Sequence, residues 1–278
     1  PQRNISRAEA AVVLSNSLGT MLTAPGDYTF GTLSGNVTIS SSDVVLYDTV
    51  IAGDLYITEG VGTGFLGLSN VTVLGATNAL LVSTNGNWGG NSVTLENCTI
   101  NKLTADGPAE RPLALNAIGT TAVNSTNVKS NAYLENSPDT EIGFSNVVMD
   151  AEPDEELHLS GYFNVVEVKG PQNGLTLGKG SIGNLVVDED AVDSIVVLDR
   201  DTNVDNMRID SASTINGRGD VETAYVTTTG VSIEMLPNQI EIRPGVVTNI
   251  NGKEMGSLDG EESSDEPRIL SGYPKTDE

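Results

Sequence analysis

The sequence is poor in the residues that build most catalytic and metal sites. In 278 residues it has one Cys, one His and one Trp, and aromatic residues make up only 4%. The single Cys98 excludes an internal disulfide framework, and the single His158 excludes a zinc site with several His ligands. Because His158 stands between two leucines, we expect it at an outward strand position. We expect Cys98 to fill the core as a small apolar residue.

Basic residues are also scarce. The chain has 14 Lys and Arg against 38 Asp and Glu, for a formal net charge of −24 and a pI near 4.1. Binding to nucleic acid or to an anionic membrane surface requires clustered positive charge, so we expect neither partner. The apolar runs are only a few residues long, which is too short to cross a bilayer, and we therefore predict no membrane insertion.

Val, Thr, Asn and Gly are abundant, and this composition is typical of an all-β protein with many short strands and turns. Comparable apolar runs begin at Leu175, Ile195, Thr214 and Val231, at intervals of 20, 19 and 17 residues. Repeats of about 20 residues, each holding several short strands, indicate a parallel β-helix.

A second repeat lies earlier in the chain and supports the same fold. Leu68, Asn70, Thr72 and Val73 align with Leu95, Asn97, Thr99 and Ile100. In stacked turns, an Asn at a bend can hydrogen-bond its equivalent in the neighbouring turn, so we expect Asn ladders.

The competing fold is a β-sandwich, in which Asn-Gly pairs form tight hairpin turns. Such pairs begin at residues 85, 173, 216 and 251. The short strands and the drifting period favour the β-helix, and the usual crossover rule predicts that it is right-handed. We predict that this domain spans residues 24–252.

Residues 5–18 predict one amphipathic helix. Ser6 and Glu9 form a capping-box pattern at its start, and Gly19 is a natural stop. We expect this short N-terminal helix to cap the open end of the β-helix, where unpaired strand edges and core would otherwise be exposed.

The segment Asn4–Leu14 resembles the C-terminal part of a surface-layer homology (SLH) module, whose hallmark is a Thr/Ser-Arg-Ala-Glu turn that opens a helix. Residues 53–73 are similar to the β-helical region that follows SLH repeats in Gram-positive cell-surface proteins, and residues 240–254 resemble the end of such regions. The resemblance implies three parts: the end of an SLH-like module at 1–23, the β-helix at 24–252, and an acidic linker at 253–278 that leads to a further module. It also implies an extracellular location at the bacterial cell surface or S-layer.

The resemblance implies that Arg7 contacts an anionic cell-wall polysaccharide, as the matching arginine does in SLH modules. Trp88 stands in the Gly-rich segment 85–91, where an exposed ring could stack on a sugar. Cell-wall or extracellular polysaccharide is therefore the predicted partner. Four tyrosines could extend such a surface: Tyr47, Tyr56, Tyr133 and Tyr162.

Carboxylates are the abundant functional group. Asp188 and Asp190 are followed about one turn later by Asp199 and Asp201, so we expect that the two pairs could stack in adjacent turns and form a shared Ca²⁺ site. The alternative is that these residues are solvated acidic turns. A polysaccharide lyase or hydrolase could use the same region, with Arg200 or Arg208 as a base.

The leading functional hypothesis is a non-catalytic one. We expect an extracellular structural or adhesion module of an SLH-anchored surface protein, which acts as a rigid spacer and displays loops. The alternatives are a carbohydrate-binding adhesin that uses Trp88 and exposed tyrosines, and the lyase or hydrolase.

Overall fold

The computed structural model describes residues 6–62, 64–80, 93–107, 112–256 and 268–269. The described residues are nearly all β, with 59% strand and 6% helix, and form a β-solenoid of about 11 turns with one short N-terminal α-helix. This confirms the predicted fold class. The chain divides into two compact units, unit 1 (Pro1–Phe144) and unit 2 (Ser145–Glu278).

Unit 1 begins with the helix and continues with short strands. Its elements are α1 (Arg7–Leu18), β1 (Thr20–Leu22), β2 (Gly26–Tyr28), β3 (Gly31–Leu33), β4 (Val37–Ile39), β5 (Val44–Ile51), β6 (Leu55–Ile57), a 3-10 helix (Glu59–Val61), β7 (Leu66–Leu80), β8 (Val93–Glu96), β9 (Thr99–Asp106), β10 (Leu113–Ile118), β11 (Ala122–Val128), β12 (Ala132–Asn136) and β13 (Gly143–Phe144).

Unit 2 consists of strands among the described residues. They are β14 (Asn146–Met149), β15 (Glu156–Val168), β16 (Gly174–Val187), β17 (Ile195–Leu198), β18 (Thr202–Ile209), β19 (Thr214–Gly217), β20 (Asp220–Val226), β21 (Ser232–Ile233), β22 (Gln239–Ile242), β23 (Val247–Ile250), β24 (Lys253–Gly256) and β25 (Arg268–Ile269).

Strands of successive turns pair in parallel, and equivalent apolar residues stack inward. In unit 1, one such ladder is buried to 1% exposure or less and consists of Val44, Leu66, Val93, Leu115 and Leu134. In unit 2, a ladder buried to the same extent consists of Leu157, Leu175, Val196, Ile215 and Ile233. Parallel pairing of strands this close in sequence excludes the β-sandwich.

The register confirms the repeat predicted in unit 1 and adjusts the one predicted in unit 2. Leu68 pairs with Leu95, Thr72 with Thr99 and Val73 with Ile100. In unit 2, Ile195 pairs with Gly174 and with Thr214, and Thr214 pairs with Ser232. The starting points predicted at Leu175 and Val231 are therefore each one residue out of register.

The bends carry the predicted Asn residues, although the partners vary. Asn70 and Asn97 have left-handed φ values of 54° and 52°, a conformation that Asn tolerates better than most residues. Asn70 donates to Asp48 of the preceding turn (3.1 Å), and Asn97 accepts from the Thr120 backbone N–H of the next turn (3.0 Å). A direct Asn–Asn contact joins Asn206 to Asn184 (3.4 Å).

One Asn-Gly pair does form a hairpin. β23 and β24 are antiparallel, and Asn251 and Gly252 between them have positive φ values of 50° and 72°, as a type I′ turn requires. β25 also pairs antiparallel with β22. The pairs at 173 and 216 lie within the parallel turns, and the pair at 85 lies outside the described residues. Strands thus continue beyond residue 252, and the module boundaries at 24 and 252 stay predictions.

The helix α1 has the predicted capping box. The Ser6 side chain accepts from the Glu9 backbone N–H (3.2 Å), and the Glu9 carboxylate accepts from the Ser6 N–H (2.9 Å). Asn36 and Thr38 donate to carbonyls in the last turn of the helix, each at 2.7 Å. Apolar side chains of α1 remain exposed, with Val12 at 58% and Leu14 at 60%. The helix is therefore joined to the solenoid through its C-terminal end.

Candidate functional site

The strongest candidate site is a groove along one corner of unit 2. Here five buried strand residues stack in successive turns: Val168, Val187, Ile209, Val226 and Ile242. The next residue of each turn donates its backbone N–H to the strand carbonyl of the turn before, at 2.8–3.0 Å. These residues form a corner ladder of Lys169, Asp188, Asp210, Thr227 and Arg243. Their polar side chains follow one another at the turn spacing of about 4.8 Å.

A second row of outward side chains lies two residues before the corner ladder. The register pairs Val186 with Arg208, Arg208 with Tyr225, and Tyr225 with Glu241. Strand alternation places these side chains on the solvent side while their neighbours fill the core. A guanidinium and an aromatic ring are thus adjacent on the surface of a strongly acidic chain.

Arg208 is held by two neighbours. Its Nε donates to both carboxylate oxygens of Asp210, at 2.7 and 3.0 Å, and its guanidinium carbon lies 5.7 Å above the centre of the Tyr225 ring. The hydrogen bond to Asp210, its negative charge and a smaller contribution from Tyr225 raise the pKa of the Arg208 guanidinium. The Asp210 carboxylate also accepts from the Thr227 hydroxyl at 2.6 Å. Asp210 therefore orients Arg208 through Nε, while the arginine side chain stays 58% exposed.

The groove is open to solvent and has a volume of about 530 Å³, which is within the range of small-ligand sites. It is lined by Asp188, Glu189, Arg208, Asp210, Tyr225, Thr227, Thr228 and Arg243. Arg208, Arg243 and Glu189 are exposed, and the other lining residues are half-buried. Hydrogen-bond donors, acceptors and one aromatic ring therefore face the same space.

The neighbouring part of the ladder carries a paired charge. Lys169 Nζ lies 3.3 Å from the Glu167 carboxylate. The hydrogen bond and charge of Glu167, followed by the charges of Asp188 and Asp150, raise the pKa of Lys169. Lys169 is thus matched by Glu167, as Arg208 is matched by Asp210.

A second cavity, of about 330 Å³, lies at another corner of unit 2 and is lined by Asp154, Glu156, Asn173, Ile195 and others. Asn173 is 1% exposed, and its amide nitrogen donates to the Ala151 and Pro171 carbonyls, each at 3.2 Å. Among the described residues its Oδ1 has no hydrogen-bond partner. These contacts tie together the backbone of adjacent turns, so we assign Asn173 to the fold.

The structure separates the carboxylates that the sequence suggested as a shared Ca²⁺ site. Asp188 lies in the corner ladder, and the Asp190 N–H is 3.3 Å from its side chain. Asp199 and Asp201 follow β17 at a different corner, where the Asp199 N–H donates to the Leu177 carbonyl. The two Asp pairs therefore lie at different corners of the same turn, and they do not stack on adjacent turns. In the described part of the chain, no group of three or more His, Cys, Asp or Glu residues could hold a metal ion.

Of the predicted glycan-contacting residues, the structure describes Arg7 and the four tyrosines. Arg7 is the first residue of α1 and is exposed, whereas Trp88 lies outside the described residues. Tyr162 is 53% exposed, and Tyr47, Tyr56 and Tyr133 are half-buried. The Tyr56 hydroxyl donates to Asp54 at 3.2 Å. Burial raises the pKa of Tyr56, and this hydrogen bond raises it further.

The two single residues behave as expected. Cys98 is fully buried, and desolvation raises the pKa of its thiol to about 11, which makes it a poor nucleophile. His158 is half-buried on the outward side of β15, with Nε2 3.3 Å from the Glu156 carboxylate.

The groove was not predicted from the sequence, although the sequence contains a repeated pattern that marks it. Three segments share the order apolar, polar, apolar, polar: Met207–Asp210, Ala224–Thr227 and Ile240–Arg243. Their spacing of 17 and 16 residues is one turn, so the register places Arg208 beside Tyr225, and Asp210, Thr227 and Arg243 in one row.

Comparison with known proteins finds a likeness at the level of structure. The sequence matches no protein family. A comparison with curated proteins also finds no match. The structure is similar to the crystal structure of the chitinase ChiW from Paenibacillus sp. str. FPU-7, described as a bacterial cell-surface-expressed multi-modular enzyme machinery. The TM-score is 0.53 and the identity 26%, over 62% of this chain and 16% of ChiW. The chain thus spans about a sixth of the length of ChiW, and the likeness supports the β-solenoid fold.

None of the helices in the described part of the chain is long and apolar enough to span a membrane.

Proposed function

We propose that this chain is a non-catalytic spacer module of an extracellular, SLH-anchored bacterial surface protein. The observation that carries the proposal is the stack of parallel turns, whose inward aliphatic ladders are almost completely buried in each unit. The likeness to part of a cell-surface-expressed, multi-modular chitinase supports a place at the cell surface.

The stacked architecture suits a mechanical role. Within each unit, the described strands of successive turns are hydrogen-bonded to one another, and close-packed interiors resist compression. In the described part of the chain, the acidic side chains other than Glu155 are exposed or half-buried, where their charge favours solubility. The chain could therefore hold other modules at a distance from the wall.

A surface-display experiment tests this spacer function. The chain would be placed between a cell-wall anchor and a reporter domain on a Gram-positive host, and binding of a soluble antibody to the reporter would be measured. We expect deletion of the chain to lower antibody binding, and an unrelated β-solenoid with the same number of turns to restore it. Full restoration by a short flexible linker would contradict the proposal. Release of sugars from polysaccharides by the purified chain would contradict its non-catalytic part.

A second candidate function is binding of cell-wall or extracellular polysaccharide. The observation that favours it is the groove of Arg208, Tyr225 and Arg243, in which an aromatic ring stands among polar groups. The glycan contacts predicted for Arg7 and Trp88 stay predictions, and glycan binding that is lost in Trp88→Ala would support the second of them.

The remaining alternatives have less support. A lyase or hydrolase built on Asp188–Asp201 would need carboxylates that converge, whereas the register separates the two Asp pairs. Calcium binding by Asp188 and Asp190, or by Asp199 and Asp201, stays a proposal for each pair separately. A thermal melt with and without EDTA tests it, since a bound ion stabilises the folded state and an unchanged midpoint would reject it.

A further inference from the structure

We infer that the groove of Asp188, Glu189, Arg208, Asp210, Tyr225, Thr227, Thr228 and Arg243 binds a neutral oligosaccharide segment of a polysaccharide. This inference rests on the glycan-binding candidate above and is independent of the spacer function. It assigns a position and a class of ligand to that binding.

The charges of the groove select a neutral ligand. Two arginines face three carboxylates, so the lining is close to electrical balance on a chain of charge −24. Asp188 and Glu189 would repel an anionic polymer such as a polyuronate, and the field of the whole chain would add to that repulsion. The field of the chain would attract a cation, but the guanidinium groups of Arg208 and Arg243 oppose its entry, and Asp210 is already bonded to Arg208 and Thr227.

The polar groups match a ligand that is rich in hydroxyls. The terminal amino groups of Arg208 and the guanidinium of Arg243 can only donate hydrogen bonds, whereas the carboxylates of Asp188 and Glu189 can only accept them. A sugar hydroxyl does both, and neighbouring hydroxyls of one ring can satisfy a donor and an acceptor together. Thr228 adds a hydroxyl that can adapt to either role.

The length of the groove indicates an oligosaccharide. Asp188, Asp210, Thr227 and Arg243 belong to four successive turns, so the row extends over three turn spacings, or about 14 Å. Tyr225 lies in the third of these turns, where its half-buried ring offers an apolar surface for the C–H groups of a sugar. A single sugar ring would contact only part of this row.

The groove is also preorganised. Asp210 fixes Arg208 through two hydrogen bonds, and Tyr225 supports the guanidinium from one side. Because these residues belong to hydrogen-bonded turns, binding would order few side chains, and this limits the entropic cost. Asp210 is thus a positioning residue that acts through Arg208.

Calorimetric titration of the full chain tests the inference, with cellopentaose, xylopentaose and chitopentaose as neutral probes and pentagalacturonate as the anionic probe. We expect at least one neutral probe to bind, with an affinity that changes little as ionic strength rises. We expect Tyr225→Ala and Arg243→Ala each to weaken that binding about tenfold or more, because each removes a direct contact. Tyr225→Phe keeps the ring and should retain most of the affinity.

The matched controls are Tyr28→Ala and Arg218→Ala, which remove a tyrosine and an arginine outside the groove. Both should bind like the original chain, and all variants should keep its melting midpoint. The inference is overturned if no neutral probe binds, if pentagalacturonate binds more tightly than they do, or if binding survives both groove substitutions. None of these results would bear on the spacer function, which is tested separately by antibody binding to the displayed reporter.

Discussion

Truncation of Leu175 to alanine should destabilise the protein far more than truncation of its neighbour Thr176. Leu175 is fully buried in the ladder between Leu157 and Val196, whereas Thr176 is half-buried on the outward side of the same strand. Leu→Ala in a close-packed core costs about 3 kcal/mol, because the transfer energy of the side chain is lost and a cavity remains. Thr176→Ala should cost less than about 1 kcal/mol.

The assay is equilibrium unfolding in urea, followed by far-ultraviolet circular dichroism. We expect the Leu175→Ala midpoint to fall while the slope of the transition stays constant, which assigns the loss to stability. Equal losses for the two variants would refute the inward and outward assignment of β16. A loss below about 1 kcal/mol for Leu175→Ala would refute the close packing of the ladder.

A double-mutant cycle extends this prediction to the neighbouring turn. Leu175 and Val196 are in register, so the losses caused by their alanine variants should be non-additive by about 0.5 kcal/mol or more. Ile250 belongs to the same ladder four turns away, at about 19 Å, and its alanine variant should add to Leu175→Ala without coupling. Equal coupling for both pairs would contradict the register.

Two further predictions concern single sites. Cys98 should react with a thiol reagent only when the protein unfolds. The fold favours the neutral thiol, so the stability that Cys98 contributes is present below pH 9 and is lost as the pH rises toward about 11. The free energy of unfolding should therefore fall by up to about 3 kcal/mol over this range, and Cys98→Ala should lack this fall. The measurement is the free energy of unfolding of both proteins at neutral and alkaline pH, and identical pH profiles would contradict it. Ser6→Ala should cost α1 about 1 kcal/mol, seen as faster amide exchange in Arg7–Leu18; unchanged exchange would show that the capping box contributes little.

The fold was predictable because the signals that define it are local and repeated. Apolar alternation and the repeat of Leu68–Val73 at Leu95–Ile100 identify parallel turns, and the register confirms that alignment. The number of residues in each bend was not predictable. One residue more or less at a bend shifts the pairing, which is why Gly174 and not Leu175 lies opposite Ile195.

The groove could not be predicted, because its position depends on the register between strands, which the sequence alone does not reveal. Asp188 and Asp199 are 11 residues apart, which is too short for a full turn, so they lie at different corners. Arg208, Tyr225 and Arg243 carry no motif of their own, and only the pairing of β18, β20 and β22 brings them together. The exposed Val12 and Leu14 show a similar limit, since helical spacing alone does not reveal which face of α1 finds a partner.

Disulfide formation between adjacent turns tests the stacked register most directly, because both the spacer and the groove depend on it. Thr176 and Val197 are paired on the outward side of β16 and β17, at a turn spacing that a disulfide can bridge. In a Cys98→Ala background, we predict that Thr176→Cys with Val197→Cys oxidises to a single cross-linked species, identified by mass spectrometry of the digested chain. Thr176→Cys with Ile195→Cys, two residues out of register on the same face, should stay reduced under the same conditions. Cross-linking of the second pair and not of the first would contradict the register and the functions built on it.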